Sequence, residues 1–172
     1  MYTVDELDVV VPLRDVPQSD VGAPLPTIVA DDYRLVLEYL VSEPDPNWDG
    51  TFVNVVTDGT VALIRFHRPY AHMMGAPNEE AIAGHPLADR GLEAFAAFEV
   101  KHSSWIRQLE KMNSVHPYHD RDRFLESKRH FVFVFHDSTF ECIAHGFEIS
   151  ILNSSILDSL DTVIEMFRAD PI

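Results

Sequence analysis

The stretch HFVFVFHDSTFECIAHGFEISIL, residues 130–152, carries the most regular β pattern of the chain and sets the expected fold. Two runs rich in aromatic and β-branched residues meet at His136-Asp137-Ser138-Thr139, where Asp and Ser favour a turn through local backbone hydrogen bonds. Centring the turn on Asp137-Ser138 sets Phe135 opposite Phe140, Phe133 opposite Cys142 and Phe131 opposite Ala144. Side chains alternate between the two faces of a strand, so the other face carries His130 opposite His145, Val132 opposite Ile143 and Val134 opposite Glu141. In this register the Cβ atoms of His130 and His145 lie about 5 Å apart, a separation at which two imidazoles can share a metal. His130, His145 and Glu141 are therefore the expected metal ligands, for a divalent transition metal. His136 stands roughly 20 Å further along the strand and belongs to no common site with His130. Cys142 and His145 point to opposite faces, which disfavours a Cys–His dyad.

Working outward, SSILDSLDTVIEMF predicts a C-terminal helix with Ile156, Leu157, Leu160, Val163, Ile164 and Phe167 on one face, capped by Ser155 with Asp158. Upstream, SSWIRQLEKMNSV (103–115) predicts a central helix capped by Ser103 or Ser104, with an apolar stripe of Trp105, Leu109 and Met112. His116-Pro117-Tyr118-His119 ends it, and a short basic helix over DRDRFLESKR follows. FAAFEV (95–100) reads as a strand. Residues 4–13 read as a strand ended by Pro12, and 27–41 as a strand pair around Asp31-Asp32. TFVNVVT (51–57) and VALIRFHR (61–68) read as a hairpin around Asp58-Gly59. The segment after Arg68 shows no sustained period, although Glu79–Ala83 suits one helical turn, and is expected to be a long connection carrying His67, Tyr70, His72 and His85 around Met73-Met74-Gly75. The sum is an α+β fold: a mainly antiparallel sheet with a prominent C-terminal hairpin, a central helix and a C-terminal helix.

At 172 residues the chain fits one globular domain, 1–172, and its 46% apolar content with eleven Phe suffices for a packed core. The net charge of −15 excludes the electrostatic attraction on which nucleic-acid and anionic-membrane binding depends. Cys142 is the lone cysteine, and no apolar run reaches membrane-spanning length, so a cytoplasmic location is expected. Charge is uneven: residues 1–50 hold eleven acidic side chains against Arg14 and Arg34, whereas 101–130 hold seven basic against four acidic, plus four histidines.

That locally positive stretch supplies the expected binding residues His116, Tyr118, His119, Arg121, Arg123 and Arg129. Arginine forks match carboxylates, phosphates or an acidic protein surface. Helix pairing of the same cations with Asp120, Asp122 and Glu126, and capping by His116, are competing local uses. Asp137-Ser138-Thr139 beside His136 contains hydrolytic residue types, but neighbours in one turn do not aim at one another, and no Gly-x-Ser-x-Gly elbow is present. Glycine-rich phosphate loops are absent as well.

The segment HPYHDRDRFLESKRHFVFVFHDSTFECIAHGFEI resembles small bacterial proteins of unassigned function, a resemblance that implies a bacterial source and no activity. The function expected from the sequence is non-enzymatic: a binding protein, in the manner of an immunity protein, that recognises a protein partner or small anionic ligand through residues 116–130. The alternative is a metal-dependent enzyme, with His116 and His119 or the His130/His145 pair as ligands and Glu141 or Asp137 as ligand or base. A third expectation is a homo-oligomer that covers an exposed phenylalanine face of the hairpin.

Overall fold

The computed structural model describes residues 2–43 and 58–169. The alternation of the 130–152 stretch has the expected consequence: β7 (Arg129–Val134) and β8 (Thr139–Ala144) form an antiparallel hairpin with one wholly apolar face. Its register differs by two residues from the expected one. Phe135 joins a four-residue loop, its N–H donating to the Ser138 carbonyl (2.8 Å), so Phe133 faces Phe140, Phe131 faces Cys142 and His130 faces Ile143. A shift of two leaves every side chain on its expected face. It does separate His130 from His145, which lies beyond the end of β8.

The hairpin sits inside a five-stranded sheet of order β1-β6-β7-β8-β5, with β1 at Val9–Pro12, β5 at Ala71–Gly75 and β6 at Ala97–Lys101. A second sheet has the order β2-β3-β4-β9, formed by Thr27–Ala30, Leu35–Leu40, Asp58–His67 and Gly146–Ser155. All neighbouring strands are antiparallel. The two sheets pack face to face. Phe131, Phe133 and Phe140 of the first, with Phe135 of its hairpin loop, meet Leu37, Tyr39, Ile64 and Phe66 of the second in one aromatic layer. Phe66 lies within 6.1 Å, ring centre to ring centre, of Phe131, Phe133 and Phe140, the range in which aromatic pairs attract beyond simple area burial. The phenylalanine face is thus covered by the chain's own second sheet, not by an oligomer partner.

Several sequence expectations change in this light. Asp58 and Gly59 form no turn; both lie in β4, paired with Ser155 and Ser154 of β9. The proposed partner strand at 51–57 falls outside the described residues. The stretch after Arg68 contains β5 on the edge of the first sheet, then short 3-10 turns at Ile82–Gly84 and Ala88–Arg90. The run 139–152 is not one strand: it breaks at His145, where the chain crosses between sheets. That crossing runs beside the one from β4 to β5, and the two are tied by the His145 N–H donating to the His67 carbonyl (2.8 Å).

Both outer faces are covered. Helix α3 (Ile156–Ala169) follows β9 directly and packs Ile156 and Val163 against Val36, Leu40, Val61 and Leu63. Its expected cap forms, Ser155 Oγ accepting from the Asp158 N–H (3.0 Å), whereas Leu157 and Ile164 of the expected face remain exposed. Over the first sheet lie the N-terminal segment, residues 82–92, α1 (Ser104–Asn113) and α2 (Arg121–Ser127). Helix α1 packs through Trp105, Ile106 and Leu109, while Met112 of the expected stripe points to solvent.

Under α3, Glu38 is fully buried on β3; its Oε2 accepts from Ser159 Oγ (2.8 Å), and its Oε1 has no hydrogen-bond partner among the described residues. Burial outweighs the Ser159 bond and pushes this carboxyl above its ordinary 4.5. The folded state then holds the proton more tightly than the unfolded chain, so stability falls as pH rises from 4.5 toward the raised folded value. Glu38→Gln should flatten that decline and raise stability at pH 8 by on the order of 1 kcal/mol. Urea titrations of both proteins between pH 4 and 8 check this, and parallel pH profiles would show that Glu38 does not hold its proton.

Candidate functional site

The second face of the β7–β8 hairpin points away from the aromatic layer and carries His130 and Glu141. In the observed register Glu141 faces Val132 and is the diagonal neighbour of His130, which brings the two side chains together. Nε2 of His130 lies 2.9 Å from Oε2 of Glu141, and Nε2 of His85, from the segment over the sheet, lies 3.2 Å from Oε1. The Tyr2 hydroxyl donates to Oε2 at 2.5 Å. All four side chains are buried.

The hydrogen bonds assign proton positions. Nδ1 of His85 accepts the Leu87 N–H (3.1 Å), so the His85 proton sits on Nε2 and is donated to Glu141. Nδ1 of His130 lies 2.9 Å from Ser103 Oγ, which also accepts the Ile106 N–H (3.2 Å) as the N-cap of α1. Asp8, also buried, takes the next free donor of that helix, the Ser104 N–H, at 2.7 Å. Trp105 closes the group, stacked on Tyr2 with centroids 5.4 Å apart and edge-on to His130 at 5.1 Å. Burial drives the Glu141 carboxyl upward, but hydrogen bonds from His130 and His85, the His130 charge and the Tyr2 bond outweigh it and lower the carboxyl to about 2. Burial first, then the Glu141 charge, push the Tyr2 phenol upward, so it stays a donor.

Ser103, His130 and Glu141 stand in the order hydroxyl, imidazole, carboxylate, which is the order of a hydrolytic triad. Ser103 is only 2% exposed and engaged as a helix cap, so its oxygen is not presented to a substrate. What the network does is join five chain segments: the N-terminus, the His85 turn, the start of α1, β7 and β8.

The sequence-derived metal set is brought together in part. His130 and Glu141 meet, while His145 lies at the crossing between sheets, where burial and then the charges of Lys128 and Arg68 lower its tendency to protonate. Among the described residues no group of three or more His, Cys, Asp or Glu side chains is arranged to hold a metal ion.

The binding set divides as well. Arg129 turns back onto Glu99 in a two-pronged pair (2.9 and 2.6 Å), and His119 is held by Glu110 (2.8 Å) and Asn113 (3.1 Å). Lys128 lies over the Phe124 ring at 3.7 Å. His116, Tyr118, Arg121 and Arg123 remain on the surface. The His116 imidazole does not cap α1; its Nδ1 accepts the Tyr118 N–H (3.2 Å). Of the buried network, Tyr2, Asp8 and Trp105 gave no functional signal in the sequence, and His85 was visible only as one histidine of an irregular segment.

Comparison with protein families, with curated proteins and with solved structures finds no match to this chain. No helix among the described residues is long and apolar enough to cross a membrane.

Because the folded state ionises Glu141 more readily than the unfolded chain, its contribution to stability is present above 4.5 and is lost as pH falls from there through about 2. Glu141→Gln should remove that acid-sensitive component. It should also cost about 3 kcal/mol at pH 7, since an amide cannot accept from all three donors. Denaturation of both proteins at pH 2.5, 4 and 7 gives the comparison; equal losses on acidification would place the acid sensitivity elsewhere.

Proposed function

We propose that this protein acts by docking another protein at the corner between α1 and α2. The observation that carries the reading is that Met112, Val115 and Tyr118, exposed at 65%, 88% and 89%, fall within seven residues and include the two most exposed large apolar side chains among the described residues. Met, Tyr and Arg are the residue types enriched at interface centres, where a few desolvated anchors supply most of the affinity. His116, Arg121 and Arg123 stand beside the apolar tip, and none of the three pairs with an acid outside its own turn among the described residues. On a chain of net charge −15 this is a place where an acidic partner surface meets attraction.

The corner is also held in shape before any partner arrives. Ser103 and Asp8 fix the start of α1, Asp120 Oδ1 accepts the Arg123 N–H (3.1 Å) at the start of α2, and His119 ties the loop between them back to α1 through Glu110 and Asn113. Fixed anchors lose less entropy on binding than mobile ones. The partner that suits this surface presents an apolar pocket with an acidic rim. Immunity-type neutralisation of a toxic protein is the cellular role we attach to it.

A metal-dependent reading keeps one observation, the meeting of His130 and Glu141, two of the three expected ligands, at 2.9 Å. A melting scan with Zn²⁺, Mn²⁺ and chelator tests it: a metal-dependent rise that a chelator reverses would support it, and unchanged melting would remove it.

Tyr118→Ala and the double variant Arg121→Glu with Arg123→Glu should leave the melting temperature unchanged, because these side chains are exposed. Each should weaken capture of a partner seen with the wild-type protein by about 2 kcal/mol, roughly thirtyfold. Quantitative affinity capture from cells, wild type against both variants, reads this out. A partner retained equally by all three proteins would overturn the proposal.

A further inference from the structure

The strand order β7-β8-β5 brings three stretches that are distant in sequence to one end of the first sheet. Arg129 pairs with Ala144, and Ile143 with Ala71, so the residues just beyond these ladders are Lys128, His145 and the connection from Arg68 to Tyr70. That connection is fastened on both sides of Arg68: the His67 carbonyl accepts the His145 N–H (2.8 Å), and the Tyr70 N–H donates to the Ile143 carbonyl (2.7 Å). Lys128, at the end of α2, completes the group. Its Nζ stands 3.7 Å from the centre of the Phe124 ring and 4.8 Å from that of Tyr70, and the two rings meet edge to face at 5.3 Å.

Three observations set this cluster apart from an ordinary solvated surface. Arg68, Lys128 and His145 form no ion pair among the described residues, on a chain with 28 acidic side chains against 13 basic ones. The three also act on one another. After burial, the charges of Lys128 and Arg68 lower the tendency of His145 to protonate, and the charge of Arg123 adds to burial in lowering that of Lys128. An anion placed among them turns this mutual repulsion into attraction. Arg68, finally, is exposed and held at φ 48°, a conformation that glycine adopts freely and that strains any residue with a side chain. The fold thus keeps a guanidinium at a position where the turn alone favours glycine.

We propose that Arg68, Lys128 and His145 form a binding site for a phosphomonoester group. Such a group carries a charge of about −2 and three acceptor oxygens, which suits a guanidinium, an ammonium and an imidazole N–H arriving from three chain segments better than the single charge of a carboxylate does. Lys128 keeps its place over the two rings, so it holds the cover of the sheet and presents its charge at once. The site lies at the far end of α2 from the docking corner and does not depend on that reading.

The test titrates inorganic phosphate into the full chain at about pH 7.5 and constant ionic strength, following the backbone amide resonances of Arg68, Lys128 and His145 by NMR. These should shift saturably with half-saturation at about 1 mM, and acetate should bind about tenfold more weakly. Arg68→Gln should weaken phosphate binding about tenfold, the loss of one charge-assisted hydrogen bond. Lys128→Met, which keeps an apolar side chain on the rings, should do the same. Arg68 is exposed, so Arg68→Gln keeps the experiment decisive if Lys128→Met fails to fold. A short phosphoserine peptide separates the two sources of such a group: tighter binding than inorganic phosphate places it on a protein, binding no tighter places it on a small molecule, and either supports the site. No saturable shift up to roughly 30 mM phosphate, or equal binding of acetate, or unchanged binding by Arg68→Gln, would overturn the proposal.

Discussion

Glu141 and the donors around it make the first sheet possible in its present form. The β7–β8 hairpin is buried on both faces, one by the second sheet and the other by the N-terminal segment, the 82–92 turns and α1. An ionised carboxylate in that position is tolerated only when it is paired and hydrogen-bonded. Tyr2, His85 and His130 meet the requirement, and each comes from a different part of the chain. The need to satisfy one buried charge therefore fixes where the covering segments lie. Ser103 extends the constraint to α1, because the same oxygen contacts His130 and caps the helix. The position of the exposed α1–α2 corner descends from this chain of contacts.

The local excess of positive charge at 101–130 resolves into two populations once partners are assigned. Arg129 and Lys101 neutralise Glu99, whose carboxyl, raised by burial, is brought net below its ordinary value by those two cations. Lys128 covers the rings of Phe124 and Tyr70. These cations hold the first sheet and its cover together. Arg121 and Arg123, on the solvent side of α2, do not, since Arg121 approaches only its neighbour Asp122 at 3.7 Å. A cluster that is uniform in the sequence is thus divided by burial into structural cations and cations left for contact.

Much of the fold was legible because strand alternation is a strong local signal. The two faces of the hairpin, the strand pair around Asp31-Asp32, the Ser103 and Ser155 caps and both major helices follow from periods and caps alone. Register did not, because whether Phe135 belongs to a strand or to its loop depends on tertiary packing. Asp58-Gly59 misled for a related reason: the dipeptide favours a turn, yet pairing along β9 draws it into a strand. The existence of two sheets was invisible, since the crossing at His145 reads as continuous β sequence. The site suffered most. His130 and Glu141 were singled out on one face, but their partners Tyr2 and His85 lie 139 and 56 residues away from Glu141 along the chain, and no local pattern points to them.

The sandwich explains why its packing changes character at the end crossed by the connection from β1 to β2. Aromatic rings fill the space between the sheets where strands lie opposite each other, but at the end crossed by residues 13–19 the chain runs over the gap rather than into it. Phe133 and Tyr39 belong to the core and stay buried there, their rings packed on each other and on Phe135. A connector with only a structural duty would be better served by Ala at position 19, which leaves no hydroxyl without a partner. Ser there leaves one buried hydroxyl without a partner among the described residues, next to the strap that the Tyr39 hydroxyl holds at the Pro17 carbonyl.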